Sequence, residues 1–306
     1  MSNNLIISTS INPPTEAIKK YDNLKNWTLV VVGDKKTPKN FKLKNGIYLS
    51  PKKQEKIDRK LSDILGWNLI ERRNLGLVYA KKCKAKVVAL VDDDNIPYKN
   101  WGKNILIGKT IAAKFYKTGQ PVFDPIYQTN YKNLWHRGFP VDRLDQRENL
   151  IYTVKKVKVD VQADFWNGDP DIDAIARIMQ KPKCNFKNKY FPFYSNKISP
   201  FNSQNTFLDA SLLKYYFLFP DQGRMHDIWA SYYLQYVKKI NVIYSKPSVF
   251  QDRNLHDLGL DLKKELIGLK YTSAIINKMS KKQFKLIDFF SKKSIKAYKL
   301  YLKHFK

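Results

Sequence analysis

Residues 87–91 read Val-Val-Ala-Leu-Val, and the run ends directly in Asp92-Asp93-Asp94. An unbroken apolar run of this length reads as a buried strand rather than a helix. The segments before it alternate between the two periodicities. Residues 5–8 form a short apolar run stopped by Asn12-Pro13-Pro14. Residues 15–24 fit a helix with Thr15 as N-cap, 27–32 a second strand ending at Gly33-Asp34, and 47–49 a third. Residues 51–65 read as a polar helix, and 72–84 as a helix with Leu75, Val78, Tyr79 and Cys83 at helical spacing. Strand and helix in turn, with short links, predict an α/β fold with a mostly parallel sheet.

The second half is less regular. Its aromatic residues, among them Trp135, Phe165, Trp166, Phe186 and Phe193, read as loops and short strands over one side of the sheet. Helices are expected at 171–179, 208–217 and 227–237. The last forty residues read as helical, with Ile295, Tyr298, Leu302 and Phe305 on one face and lysines around the rest.

Charge narrows the partners without choosing one. The chain of 306 residues carries 56 Lys and Arg against 27 Asp and Glu, a formal +29. With 43% hydrophobic residues it still builds a core, which excludes a disordered basic protein. Residues 278–306 hold ten Lys against one Asp, so this segment alone contributes +9. Nucleic acid, an anionic membrane and a phosphorylated ligand all fit such a charge. Two cysteines alone, Cys83 and Cys184, make neither a disulfide framework nor a cysteine zinc site. No window approaches the roughly 20 apolar residues of a membrane span.

In an open α/β sheet, ligands bind beyond the carboxyl ends of the strands. Three such ends carry polar residues here: Thr9-Ser10, Gly33-Asp34 and Asp92-Asp93-Asp94. Three adjacent carboxylates repel one another unless a cation or donors compensate them, and Mg²⁺ or Mn²⁺ is the simplest compensation. A solvated acidic turn is the competing reading. GxGxxG and GxxxxGK[ST] are absent, which argues against a Rossmann dehydrogenase and a P-loop ATPase. The run from Asp169 imitates the start of a calcium loop but has Ala174 and Gln180 where Gly and Glu are required.

Several stretches together resemble the STELLO-type glycosyltransferase family. They are residues 30–41 with 46–50, then 72–95, 135–142 (WHRGFPVD), 166–177 (WNGDPDIDAIAR) and 251–266 (QDRNLHDLGLDLKKEL). The resemblance implies a GT-A-like fold in a catalytic domain of residues 1–266. Its nucleotide-binding half is 1–100 and its acceptor half 101–266, and a basic amphipathic helical tail covers 267–306. It implies a nucleotide diphosphate sugar as donor, chiefly a uridine one, a glycan or other hydroxyl acceptor, and Mn²⁺ or Mg²⁺ as cofactor. Asp92 and Asp94 match a DxD that holds metal and ribose, with Asp93 sharing either task. Thr9, Ser10 and Asp34 stand where such enzymes contact base and ribose. Arg72 and Asn74 open the helix before the DxD strand, facing the diphosphate. Arg137 belongs to a shaped loop near the donor sugar. Trp166, Asp169, Asp171 and His226 are sugar or acceptor contacts, His256 completes the metal shell, and Asp227 is the general base if the anomeric centre inverts.

Bland readings compete at most of these positions: helix caps for Asp171 and Asp227, a solvated helix start for Arg72, a packed residue for His256. Two functional alternatives stand beside transfer. One is a nucleotide-sugar mutase of the reversibly glycosylated polypeptide type, which also carries DDD after a strand. The other is a nucleic-acid-binding protein, disfavoured because no recognised motif supports it and the acids would repel phosphate. The membrane anchor of the plant members has no counterpart in these residues, so the expectation is a cytoplasmic protein. The apolar stripe of the tail suits either a peripheral contact with an anionic membrane or docking against the catalytic domain.

Overall fold

The computed structural model describes residues 3–253 and 257–306. β1 (Asn4–Thr9) leads through α1 (Glu16–Asp22) to β2 (Thr28–Val32), and then β3 (Ile47–Leu49). Thr15 caps α1 by accepting from the Ile18 amide, as the sequence predicts. The single polar helix expected over 51–65 is two, α2 (Pro51–Ile57) and α3 (Arg59–Leu65). Asp58 breaks them: it leaves helical geometry at φ −162° and caps α3 through the Leu61 amide. α4 (Arg73–Lys82) and β4 (Val87–Val91) complete the first half. Gly76 lets α4 lie directly on the sheet, because a Cβ there would stand 2.6 Å from Ile7 Cγ2 and 2.8 Å from Val32 Cγ2.

The order β3-β2-β1-β4 is parallel throughout, which aligns the carboxyl ends of β1, β2 and β4. After β5 (Asn95–Pro97) the chain forms β6 (Thr110–Tyr116), β7 (Tyr152–Lys158), β8 (Val161–Gly168) and α5 (Ala174–Gln180). Then come β9 (Phe193–Ser195), β10 (Asn205–Asp209), α6 (His226–Val237) and β11 (Val242–Gln251). The sheet continues from β4 as β10-β8-β11-β9-β6-β7, with β5 on β11. β10 runs antiparallel to both β4 and β8, so the whole sheet is mixed, while β8 and β11 are again parallel. The architecture is α/β and GT-A-like.

β10 is the element the sequence concealed. Asn205-Thr206-Phe207-Leu208-Asp209 lacks a clean apolar run, and residues 208–217 read as a helix; in the fold, Ala210–Tyr215 is only a 3-10 turn. Its polar residues are satisfied inside: Asn205 donates to Phe165 O and Ser248 Oγ, and accepts from Trp101 Nε1. Trp101 packs edge-on to Tyr21 and tilted against Trp27 and Phe207, closing the core beneath α1.

α7 (Leu258–Ser280) and α8 (Lys292–Leu302) end the chain, and the boundary expected at 266/267 falls inside α7. The apolar stripe of α8 is consumed by the domain. Tyr298 and Tyr301 are buried against Phe217, the Tyr301 hydroxyl donates to Leu213 O, and Phe290 meets Phe219 at 4.2 Å between ring centres. Of the two roles expected of that stripe, docking against the catalytic domain is the one the fold shows: its aromatic residues are already packed. Among the described residues no helix is long and apolar enough to cross a membrane.

Candidate active site

The three strand ends predicted to meet do meet. Ser10 Oγ donates to Asp93 Oδ2 at 2.5 Å, Asn12 Nδ2 donates to the same oxygen at 3.1 Å, and Thr15 Oγ1 donates to Asp93 O at 2.5 Å. Asp93 thus binds the β4 end to the β1 loop, and burial raises its carboxyl pKa above the ordinary value, with Ser10 and Asn12 opposing. Thr37 joins the β2 loop to β1: it accepts from the Asp34 amide at 2.7 Å and donates to Ser10 O at 2.7 Å. Asp34 is buried, accepting from the Lys35 and Leu69 amides.

Of the two adjacent arginines at the start of α4, the expected one turns away. Arg72 Nε and Nη2 donate to Gln54 Oε1, Nη2 also to Ser62 Oγ, and Nη1 to Ser62 O and Gly66 O. Its face lies on the Trp67 ring at 3.6 Å, so every donor of the fork and one face of its plane are spent inside the protein. Burial lowers this guanidinium to about 10. The diphosphate role expected of Arg72 is corrected on that ground, and so is that of Asn74, whose amide closes both hydrogen bonds with the Leu218 backbone. Arg73 faces the strand ends instead. It donates to Asp92 Oδ1 at 2.7 Å, Thr9 Oγ1 at 3.1 Å, Val91 O at 3.2 Å and Ser203 Oγ at 2.7 Å.

On the other side lies a buried hub of arginines and carboxylates. Arg137 is held between two acids: Nε and Nη2 donate to Asp171, while Nη1 and Nη2 donate to Asp227 at 3.0 and 3.1 Å. Its loop turns at Gly138, φ +85°, where a Cβ would stand 2.2 Å from Ile228 Cγ2. Asp171 is fully buried and also accepts from Asn202 Nδ2 at 2.9 Å. Burial disfavours its charge, but Arg137, Arg253 and Arg224 outweigh that and hold its carboxyl far below the usual range. Asp171 is a counter-ion for this hub, which corrects its reading as a sugar contact. Trp166 is likewise buried, edge-on to His136 and Phe165, with no ring face offered to a sugar. Asp169 pairs with Arg177 and lies 3.5 Å from Arg253 Nε. The cap of α5 is Asp173, whose carboxyl rises to about 7 through burial and the neighbouring Glu265.

Asp227 opens α6 as expected, yet its oxygens are occupied. Besides Arg137 it accepts from the Ser203 amide at 3.0 Å, Ser203 Oγ at 3.2 Å and the Ile228 amide at 2.9 Å. Burial is again outweighed by Arg137 and His226, and the carboxyl sits well below the ordinary range. A carboxylate held so strongly in its ionised form takes up a proton poorly, which corrects its assignment as general base. Its neighbour His226 is placed differently: Nδ1 lies 2.6 Å from Gly223 O, and Nε2 lies 3.8 Å from Asp227 Oδ1.

Between the strand ends and the hub is a cavity of about 170 Å³, lined among others by Asp92, Asp94, Arg224, His226, Asp227 and Arg253. Asp92 and Asp94 supply hard oxygen donors of the kind that suit Mg²⁺ or Mn²⁺ together with substrate phosphates. Among the described residues no group of three His, Cys, Asp or Glu could hold a metal by itself. His256 lies outside the described residues. Arg73, Arg224 and Arg253 carried no expected role, although Arg73 stands beside Arg72 and Arg253 falls within a block that supports the resemblance. Nothing local distinguishes a solvated arginine from one that faces a cavity.

The fold is thus α/β and GT-A-like, with Asp92 and Asp94 of the first half and Arg224, His226, Asp227 and Arg253 of the second around one cavity. By sequence the chain is related to STELLO-type proteins, as its motif blocks anticipate. It is 24% identical over 225 residues to "Probable glycosyltransferase STELLO2" of Arabidopsis thaliana, covering 67% of this chain and 29% of the relative. It is 26% identical over 217 residues to "Probable glycosyltransferase STELLO1" of the same plant, covering 65% and 28%. The match therefore spans less than a third of the length of these curated relatives. No family model matches the chain.

Proposed function

We propose that this protein is a glycosyltransferase that moves a sugar from a nucleotide diphosphate sugar, with uridine as the first choice of base, to a hydroxyl acceptor such as a glycan. The observation that carries this reading is the cavity where Asp92 and Asp94 face Arg224 and Arg253. Paired carboxylates alone would repel a diphosphate, and arginines alone would bind any phosphate. Together they suit a metal-bridged diphosphate. Asp92 and Asp94 would hold Mn²⁺ or Mg²⁺, which supplies Lewis-acid neutralisation of a leaving diphosphate when bound. Arg224, which pairs with Glu265 at 2.6 Å and Asp261 at 3.2 Å, and Arg253, 3.5 Å from Asp169, line the same cavity, and Arg73 orients Asp92 through its 2.7 Å bond. Asp34, Ser10 and Thr9 remain the proposed wall for base and ribose. The names of the two relatives support the transferase class; the diphosphate and the metal are proposed from the site, and the uridine base and the acceptor from the resemblance.

Calorimetric titration of Mn²⁺ with a panel of nucleoside diphosphates tests the reading in wild type and Asp94→Ala. Metal-dependent binding of one diphosphate, weakened at least tenfold by the substitution, is the expected result. Equal binding by both proteins removes Asp94 from the site, and no binding by wild type removes the donor class.

A further inference from the structure

The displacement proposed above needs a group to take the acceptor's proton, and the acid expected to do so, Asp227, has its oxygens occupied by Arg137 and Ser203 and is held in its ionised form. We propose that the general base is its neighbour His226, acting through Nε2 on the hydroxyl of the acceptor in a single inverting displacement. This rests on the glycosyltransferase reading.

Three observations carry it. First, the tautomer is set. Nδ1 is 2.6 Å from a carbonyl oxygen, Gly223 O, which only accepts, so Nδ1 bears the hydrogen and Nε2 of the neutral ring keeps its lone pair. Second, the ring is positioned. Gly223 takes φ +53°, and a Cβ there would stand 2.1 Å from Lys264 O, so α7 pins the turn that presents this carbonyl. His226 is the first residue of α6, whose next residue is anchored by Arg137. Third, His226 lines the same cavity as Asp92, Asp94 and Arg253, the cavity proposed to take the donor. Asp227 Oδ1, 3.8 Å from Nε2, lies close enough to favour the imidazolium that forms. A base oriented by a hydrogen bond on one nitrogen and supported by a nearby carboxylate is a recurrent arrangement for proton transfer.

The step balances without a further reactant. The acceptor oxygen forms its bond to the anomeric carbon as its proton passes to His226 Nε2. The bond from the anomeric carbon to the diphosphate oxygen breaks, and its electron pair leaves on the nucleoside diphosphate. The proton is later released to solvent.

The test separates binding from turnover. His226→Asn keeps an amide donor for Gly223 O and removes the Nε2 lone pair. Water replaces the unidentified acceptor, and release of uridine diphosphate from UDP-glucose with Mn²⁺ is the rate measured. The expected result is a rate lowered by about 10² to 10⁴, with uridine diphosphate affinity within about twofold of wild type. A variant that keeps its rate within about threefold overturns the base while leaving the donor reading intact, as does one that loses affinity and rate together. A wild type that binds no uridine diphosphate overturns the donor reading and the base with it. One further readout needs no turnover: in nitrogen-15 spectra of His226, Nε2 is expected to be the unprotonated nitrogen and to shift on adding UDP-glucose, and an Nε2–H tautomer, or no shift in a protein saturated with donor, overturns the proposal.

Discussion

The molecule holds two acidic triplets that look alike in sequence and behave oppositely in the fold. Asp92, Asp93 and Asp94 lie at the end of β4, partly exposed, with Arg73 on Asp92 and hydroxyl and amide donors on Asp93. Asp169, Asp171 and Asp173 follow β8: Asp171 is fully buried among Arg137, Arg224 and Arg253, Asp169 is partly exposed and pairs with Arg177, and Asp173 is buried as the cap of α5. The first leaves carboxylate oxygens at a cavity; the second spends its charge inside the protein. Ser203 joins the two sides, because its hydroxyl accepts from Arg73 and donates to Asp227. Acidity at a loop therefore marks a ligand site only where the fold does not also supply the counter-ions.

Removing the hub's central cation is expected to have the largest effect. Arg137→Ala takes from buried Asp171 and Asp227 the cation that bridges them, leaving Asp171 with Arg224 and Arg253 at 3.8 Å and Asp227 with Ser203, at a cost of about 3–5 kcal/mol in urea unfolding. A cost below about 1 kcal/mol would mean that the hub is not what holds the second half.

The next effect follows pH. Asp173 and Asp164 have carboxyls raised to about 7 from an ordinary 3.8, both chiefly by burial. The folded protein binds these protons more tightly than the unfolded chain, so stability is greatest below about pH 4 for these groups and is lost as pH rises through 7. Asp171 and Asp227 are held low, and their contribution is lost as pH falls below about 4. Melting between pH 4.5 and 8 should show the decline, and Asp164→Asn should flatten it by about 1–3 kcal/mol. An unchanged slope would place that proton elsewhere.

Smaller changes are expected at the β4 triplet. Ser10→Ala removes the bond to Asp93 and should cost about 1 kcal/mol, read from the urea midpoint. Asp94→Asn should change stability by less than about 0.5 kcal/mol while weakening Mn²⁺-dependent nucleotide binding. If it destabilised the protein as much as Arg137→Ala, the two triplets would be the same kind of structure.

Much of the first half was legible because its signals are local. Val87–Val91, Thr15 as a cap and the strand ends at Thr9, Val32 and Val91 follow from runs and caps a few residues long. The second half was not, because β8 and β10 bury polar residues that pair only with distant partners, such as Asn205 with Phe165 and Trp101. The same distinction decides the site. Runs and caps a few residues long are enough to predict that β1, β2 and β4 form parallel α/β units and that carboxylates crowd the end of β4. Only the tertiary structure decided that Arg73 rather than Arg72 meets Asp92, that Asp171 and Asp227 are counter-ions, that Arg224, His226 and Arg253 face the cavity, and that the aromatic stripe of α8 is core. Periodicity and capping are written in neighbouring residues, whereas the fate of a charged group depends on the counter-charges and water around it, and those are set by contacts between residues far apart in the chain.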